Sequence, residues 1–137
     1  MPSIIRKLSI VALLILLVSN VAFTQSYYDE ANLEATEFAI KYKTSTYSSW
    51  VKMADPIKVY HNVDEHKIII FSEVPQILDY GTLRSYDRGE WVQFVALATD
   101  TEYIDMEINL YLYKSGLIII RLVYSDVEYK YKLKLIQ

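Results

Sequence analysis

The end of the chain alternates between apolar and polar residues without a break. In "VEYKYKLKLIQ", residues 127–137, an apolar row stands against a charged one: Val127, Tyr129, Tyr131, Leu133 and Leu135 against Glu128, Lys130, Lys132 and Lys134. The stretch 103–113 shows the same period of two. Successive side chains of a β-strand point to opposite faces, so this period predicts half-buried strands.

Segments of this kind follow one another from residue 37 onwards, and turn-forming residues separate them, among them the glycines Gly81, Gly89 and Gly116. We count eight or nine short strands, joined by links too short for the crossovers of a parallel sheet. The pattern predicts a single all-β domain over 37–137, an antiparallel meander of about eight short strands closed as a small barrel. A two-sheet β-sandwich is the alternative.

Residues 25–36, "QSYYDEANLEAT", differ from this pattern because they are mostly polar. Asp29 is a residue type that caps helices, and Ala31, Leu33 and Ala35 follow it. This segment predicts either a short N-terminal helix or an irregular polar leader.

Residues 1–24 have the anatomy of a secretory signal peptide: Arg6 and Lys7 make a positive start, and 8–18 form a largely apolar core. That core is about half the ~20 residues that a membrane-spanning helix needs, so we expect cleavage, after Thr24 or close to it, rather than an uncleaved anchor. The chain has no cysteine. An exported protein without disulfides points to a bacterial periplasm or exterior, with no stable membrane span after cleavage.

A barrel closes if the last strand returns beside the first. Such closure pairs the exposed edges of the first and last strands. Inside the barrel, the inner row of the last strand would then lie beside Phe38, Ile40 and Tyr42. The lysines on the outer faces would meet and form a candidate interaction surface: Lys41, Lys43, Lys130, Lys132 and Lys134. Neighbouring like charges cost stability unless acidic groups such as Glu37 and Glu128 lie between them. The simpler interpretation of these lysines is a solvated face that protects the strands from aggregation.

Charge and metal-ligand patterns exclude several functions. Removing 1–24 takes away two of the 14 Lys and Arg and none of the 17 Asp and Glu, which leaves a net charge of −5. Nucleic acid is therefore a poor candidate partner, because binding phosphates needs a basic footprint. His61 and His66 flank Asp64 and Glu65 in "HNVDEH", but this spacing fits no established zinc motif and falls on a predicted turn. We predict no metal and no cofactor.

Few residues offer catalytic chemistry, since the chain lacks a cysteine nucleophile and its scattered glycines form no nucleophile elbow or phosphate loop. Asp105 and Glu107 share a strand face at a spacing within the range of glycosidase carboxylates, which leaves a hydrolase as an alternative. The 13 tyrosines suit binding of peptides or glycans, although tyrosine is also a good strand former. A small barrel of this kind is just wide enough for its side chains to fill, so we expect a packed interior rather than a ligand cavity.

Two runs, "WVKMADPIKVYHNVDEHKIIIFSEVPQILDY" and "LIIIRLVYSDVEYKY", resemble a group of small exported β-proteins of Bacteroidetes bacteria. The shared features are Trp50 shortly before a strand, the "DEHKIIIFS" hairpin leading to "QILDY", and the near-terminal "YSDVEYKY". The resemblance implies a lipocalin-like or similar small meander barrel and an exported location, and it brings no catalytic or binding residue.

These features together predict a non-enzymatic binding or protein-interaction module at the cell envelope, with an envelope protein or a glycan as its partner. One alternative is a lipocalin-like carrier of a small apolar ligand, and another is a hydrolase that uses Asp105 and Glu107. The oligomeric state stays open.

Overall fold

The computed structural model describes residues 30–136, which form nine β-strands. The strands are β1 (Glu30–Tyr42), β2 (Val51–Asn62), β3 (Lys67–Ile70), β4 (Gln76–Tyr80), β5 (Arg84–Asp87), β6 (Trp91–Thr99), β7 (Asp105–Tyr113), β8 (Ile118–Val123) and β9 (Val127–Ile136). No helix occurs within the described residues, which confirms the all-β prediction for them. The predicted signal segment, 1–24, lies outside this part of the chain.

Eight of these strands close into an antiparallel barrel. Their order around the wall is β1, β2, β3, β4, β6, β7, β8 and β9, and β9 pairs with β1. The ninth strand, β5, pairs with β6 beyond the point where β4 ends, so β4 and β5 behave as one interrupted strand along β6. The predicted meander barrel is thereby confirmed, and the last strand does return beside the first.

The two seams that complete the barrel differ in length. Ten residue pairs join β1 to β9, whereas two join β4 to β6. One further backbone hydrogen bond, from the N–H of Gly81 to the carbonyl of Leu97 at 2.9 Å, extends the β4–β6 seam. This seam therefore has the fewest paired residues of any in the described barrel.

The start of the β-domain differs from the prediction. Residues 30–36 belong to β1, so the helix or polar leader is wrong for them, and the domain begins at Glu30 instead of residue 37. Pairing with β2 on one side and β9 on the other outweighs the helix propensity of the Ala, Leu and Glu residues in this stretch. Residues 25–29, the rest of the predicted leader, lie outside the described residues.

A β-bulge at Thr36 explains how β1 keeps one face inside the barrel along its whole length. Before the bulge the odd-numbered Leu33 and Ala35 belong to the core. After it Phe38 pairs with Tyr131, whose ring packs against that core, so the inner face has moved to even-numbered residues. The extra residue of a bulge shifts the alternation by one, which brings both apolar rows of β1 to the same side.

Side chains fill the barrel interior. The largest fully buried ones come from six of the eight barrel strands: Leu33, Val59, Leu78, Val92, Phe94, Leu112, Ile118 and Ile120. Several alanines lie among them, and this mixture of large and small groups lets facing rows interdigitate. The interior is thus packed, as expected for eight strands.

Four loops lie at one end of the barrel, which we call the mouth end: 43–50, 71–75, 100–104 and 124–126. The opposite, far end carries the remaining turns, and two of them place glycine at positive φ, Gly89 at 89° and Gly116 at 94°. Only glycine adopts this conformation without strain, which confirms the turns predicted there. Within residues 30–136, no helix is long and apolar enough to cross a membrane.

Candidate functional site

The outer face of the β1–β9 seam holds most of the predicted lysine surface. Glu37 lies opposite Lys132 and Lys41 lies opposite Glu128, and the charged nitrogen and oxygen atoms are 3.4 Å apart in each pair. Carboxylates therefore alternate with the lysines. The repulsion expected between neighbouring lysines is relieved by this arrangement.

Two aromatic side chains of loop 43–50 lie against the same face. The Nζ atom of Lys130 is 3.7 Å from the centroid of the Tyr47 ring, and that of Lys132 is 4.6 Å from the centroid of the Trp50 ring. An ammonium group over an aromatic face is attracted by the negative face of the ring. The lysines of β9 thus hold the loop against the barrel wall.

Ser48 attaches this loop to β1 as well. Its N–H donates to the carbonyl of Ile40 at 2.8 Å, and its Oγ accepts from the N–H of Ile40 at 3.0 Å. The neighbouring Ala39 is on the outer face, opposite Lys130, yet it is 1% exposed and not part of the core cluster. We conclude that the loop covers it.

Glu128 is the centre of this outer cluster. Its Oε1 accepts hydrogen bonds from the hydroxyl of Tyr47 at 2.9 Å and from Nε of Arg121 at 2.7 Å. Burial alone would raise the pKa of Glu128, but the hydrogen bonds from Tyr47 and Arg121 outweigh it and lower the pKa. Burial, together with the bond to Glu128, raises the pKa of Tyr47 to about 12. The carboxylate is therefore ionised at neutral pH while it accepts both bonds.

The other two lysines of the predicted surface stand apart from this cluster. Lys43 follows β1 in a mouth-end loop, and Lys134 lies towards the far end, opposite Glu34; both lysines are exposed. The structure thus brings together Lys41, Lys130 and Lys132 and gives each of them a carboxylate or a ring within the chain. Binding of a partner by this surface stays a prediction.

A cleft of about 450 Å³ opens at the mouth end of the barrel. Loops 71–75, 100–104 and 124–126 contribute to its wall, and the inner-face residues Tyr129 and Tyr131 of β9 line it. The buried Leu122 also lines it, so the cleft reaches the barrel core. The packed interior and this cleft are compatible because the cleft lies at the end of the barrel.

Asp100 organises one side of the cleft. Its Oδ1 accepts hydrogen bonds from the N–H groups of Glu102 at 2.9 Å and Ile104 at 3.0 Å, which fix the β6–β7 turn. Its Oδ2 accepts a hydrogen bond from the hydroxyl of Tyr124 at 3.0 Å. Burial, followed by the bond to Asp100, raises the pKa of Tyr124. Tyr124 is therefore neutral at physiological pH, and its hydroxyl proton is available for this hydrogen bond.

The rim of the cleft is acidic and partly apolar. The three loops that form it contain four carboxylates and no lysine, arginine or histidine: Glu73, Asp100, Glu102 and Asp126. Large apolar side chains are exposed on the same loops, with Val74 at 76% and Tyr103 at 87% exposure. Exposed apolar groups gathered around a concave site are typical of binding surfaces.

The two histidines lie on either side of Tyr80 near the far end. His61 is buried, and its Nε2 lies 2.7 Å from the hydroxyl of Tyr80; the exposed His66 stacks on the Tyr80 ring, with centroids 5.1 Å apart. Burial, with a smaller contribution from the charge of His66, lowers the pKa of His61 to about 4. Among residues 30–136, no group of three or more His, Asp or Glu side chains is arranged to hold a metal ion.

Asp105 and Glu107 both lie on the outer face of β7. Asp105 is exposed and forms a long hydrogen bond, 3.4 Å, with the hydroxyl of Thr99. A shallow groove of about 310 Å³ beside β6 and β7 is lined by Asp105 and Asp79 but not by Glu107. Glu107 therefore does not join Asp105 in the wall of this groove.

The fold and the mouth cleft together define a small closed antiparallel β-barrel with a cleft at one end. No protein family, curated protein or solved structure matches the chain. No pattern of alternating residues predicts the cleft, although the sequence contains one signal for it. Three of the four mouth-end links carry only acidic charges, in "FSEVP", "DTEYI" and "YSD".

Proposed function

We propose that the protein is a non-enzymatic binding module that holds a small ligand in the cleft at the mouth end of its barrel. The cleft itself carries this proposal. Its volume of about 450 Å³ falls within the range of ligand sites, and such sites commonly lie in the mouths of β-barrels. A few polar groups stand among aromatic rings in its wall, which is the composition of a site that orients a ligand.

The geometry supports this reading over a carrier with an apolar ligand in the barrel centre. Eight large side chains fill that centre, and the cleft wall includes the polar residues Ser72, Gln76 and Asp100. A purely apolar ligand would remove water from this polar side of the wall without replacing its interactions, at a cost in free energy. The proposed ligand therefore has both an apolar and a polar part.

The outer surface supports the other predicted roles less well. A hydrolase needs its acid and base around one substrate, whereas the groove beside β6 and β7 is lined by Asp105 without Glu107. The lysine surface would bind an envelope protein or glycan only in competition with the contacts that its lysines already make to Glu37, Glu128 and Tyr47. We further propose an exported location, which rests on the signal-like segment 1–24 and on the resemblance to exported β-proteins.

Native mass spectrometry and dye binding test the proposal. We expect the purified protein to carry a small-molecule adduct, or to enhance the fluorescence of an environment-sensitive dye that the adduct displaces. Val127 lines the cleft and is half-buried, so Val127→Trp fills part of the space and should abolish both signals.

Ser115→Trp is the matched control. Ser115 is exposed in a far-end turn, so this substitution adds the same side chain away from the cleft. This variant should behave as the wild type. The proposal fails if the protein binds neither adduct nor dye, or if both tryptophan variants bind as well as the wild type.

A further inference from the structure

We infer that the ligand of the mouth cleft is an organic cation, an ammonium group attached to a small apolar body. This inference rests on the proposed function and names the chemical class of its ligand. Two independent features of the cleft, its charge and its aromatic rings, lead to it.

The charged side chains that line the cleft are of one sign. Among the described residues that line it, Asp100 and Glu102 are the only acidic or basic ones. The loops beside them add Glu73 and Asp126, and Asp126 accepts a backbone hydrogen bond from Lys43 of loop 43–50. Two basic residues of the adjacent strands β8 and β9 lie on the outer face of the barrel. Arg121 donates there to Glu128, and Lys130 lies over the ring of Tyr47. A concave site with charges of one sign concentrates ligands of the opposite charge, so an anion would be repelled and a cation attracted.

The aromatic rings suit a cation as well. Tyr129 and Tyr131 line the cleft from β9, and Tyr124 meets Tyr129 edge to face with ring centroids 6.0 Å apart. Tyrosine rings in such groups bind ammonium ions through their faces when the cation lies within about 6 Å of a ring centroid. The rings also cover the apolar part of the ligand, while Asp100 and Glu102 balance its charge.

The hydrogen bonds of Asp100 limit its direct contact with the ligand. Both of its oxygens already accept hydrogen bonds, from the turn and from Tyr124. Glu102 is exposed and lines the same cleft. We therefore expect Glu102 to provide the contact with the ammonium group and Asp100 to act through its charge at longer range.

The test is a titration of the purified protein with matched probes, in which binding is monitored through the NMR signals of the tyrosine rings. Phenyltrimethylammonium is the cation, tert-butylbenzene is its uncharged isostere, and benzoate is an anion with the same ring. We expect the cation to bind about fivefold or more tightly than the isostere, benzoate not to bind, and the preference to weaken with added salt.

Two variants test whether Glu102 is responsible for the preference for the cation. Glu102→Gln keeps the shape of the side chain and should weaken binding of the cation about fivefold without changing binding of the isostere. Glu90→Gln, an exposed residue of a far-end turn, is the control and should change neither. A blocked lysine amino acid, used as a further probe, shows whether the cation comes from a peptide side chain or from a free molecule.

The outcomes separate this inference from the proposed function. If the uncharged isostere binds as tightly as the cation, or if Glu102→Gln changes nothing, the ligand class is wrong although the cleft still binds ligands. If no probe shifts the signals of Tyr124, Tyr129 and Tyr131, and the dye of the preceding test does not bind either, the proposed function falls as well.

Discussion

The hydroxyl of Tyr124 donates a hydrogen bond of 3.0 Å to Oδ2 of Asp100, and this bond joins two loops that are far apart in the sequence. Tyr124 begins the β8–β9 loop, and Asp100 begins the β6–β7 loop. Since β7 lies between β6 and β8 in the wall, the bond spans part of the barrel mouth. It fixes the shape of the cleft as well as contributing to stability.

Tyr124→Phe should destabilise the protein by about 1 kcal/mol, because the variant loses one hydrogen bond to a carboxylate at a partly exposed site. Asp100→Asn should weaken the same bond. The double variant should then lose less than the sum of the two single changes in the free energy of unfolding, measured by urea denaturation. Additive losses would show that the two side chains do not interact in solution.

The lysines of β9 should differ in their contribution to stability. Lys130→Ser removes the ammonium group from the face of the Tyr47 ring and should lower the free energy of unfolding by about 1 kcal/mol or less. Lys134→Ser removes an exposed lysine from the same strand and should change the free energy of unfolding by no more than about 0.5 kcal/mol. Equal effects of the two substitutions would mean that the contact between loop 43–50 and the wall contributes nothing.

The barrel could be predicted because its signal is local. Alternation by two in β7 and β9 identifies strands, and the short links between strands leave an antiparallel meander as the simplest arrangement. Closure then follows from the need to pair both edges. The return of the last strand beside the first, and the alternation of Glu37 and Glu128 with the lysines, agree with that reasoning.

The first strand shows why part of the reasoning failed. Ala31, Leu33 and Ala35 alternate as in a strand, but Asp29 before them and the polar residues around them indicated a short helix or a polar leader. The apolar positions change from odd to even between Ala35 and Phe38, and this change of phase was the available signal for a bulged strand.

The mouth cleft had no comparable signal. It forms from three loops and from residues of β4, β8 and β9, and only closure of the barrel brings these parts together. A sequence pattern records the neighbours of a residue along the chain, not those across a barrel mouth.

The β4–β6 seam should be the place where the barrel opens most easily. Two residue pairs and the hydrogen bond of Gly81 hold it, whereas ten pairs hold the β1–β9 seam. Hydrogen exchange measured by NMR should therefore find the amide of Gly81 exchanging at least about tenfold faster, after correction for intrinsic rates, than the amides of β1 that bond to β9. Equal protection at both seams would show that the barrel opens only by unfolding as a whole.

Acid should destabilise the protein through His61. Burial lowers the pKa of this residue from 6.5 to about 4, so the folded state holds its imidazole neutral while the unfolded state binds a proton. The contribution of the neutral His61 to the free energy of unfolding is fully present above pH 6.5. It is lost as the pH falls from 6.5 to about 4, and the loss amounts to about 3 kcal/mol. His61→Gln keeps a hydrogen-bonding partner for the hydroxyl of Tyr80 but does not titrate. Urea denaturation between these two pH values should therefore show a steeper loss of stability for the wild type than for the variant, whereas parallel pH profiles would mean that the buried histidine does not sense pH.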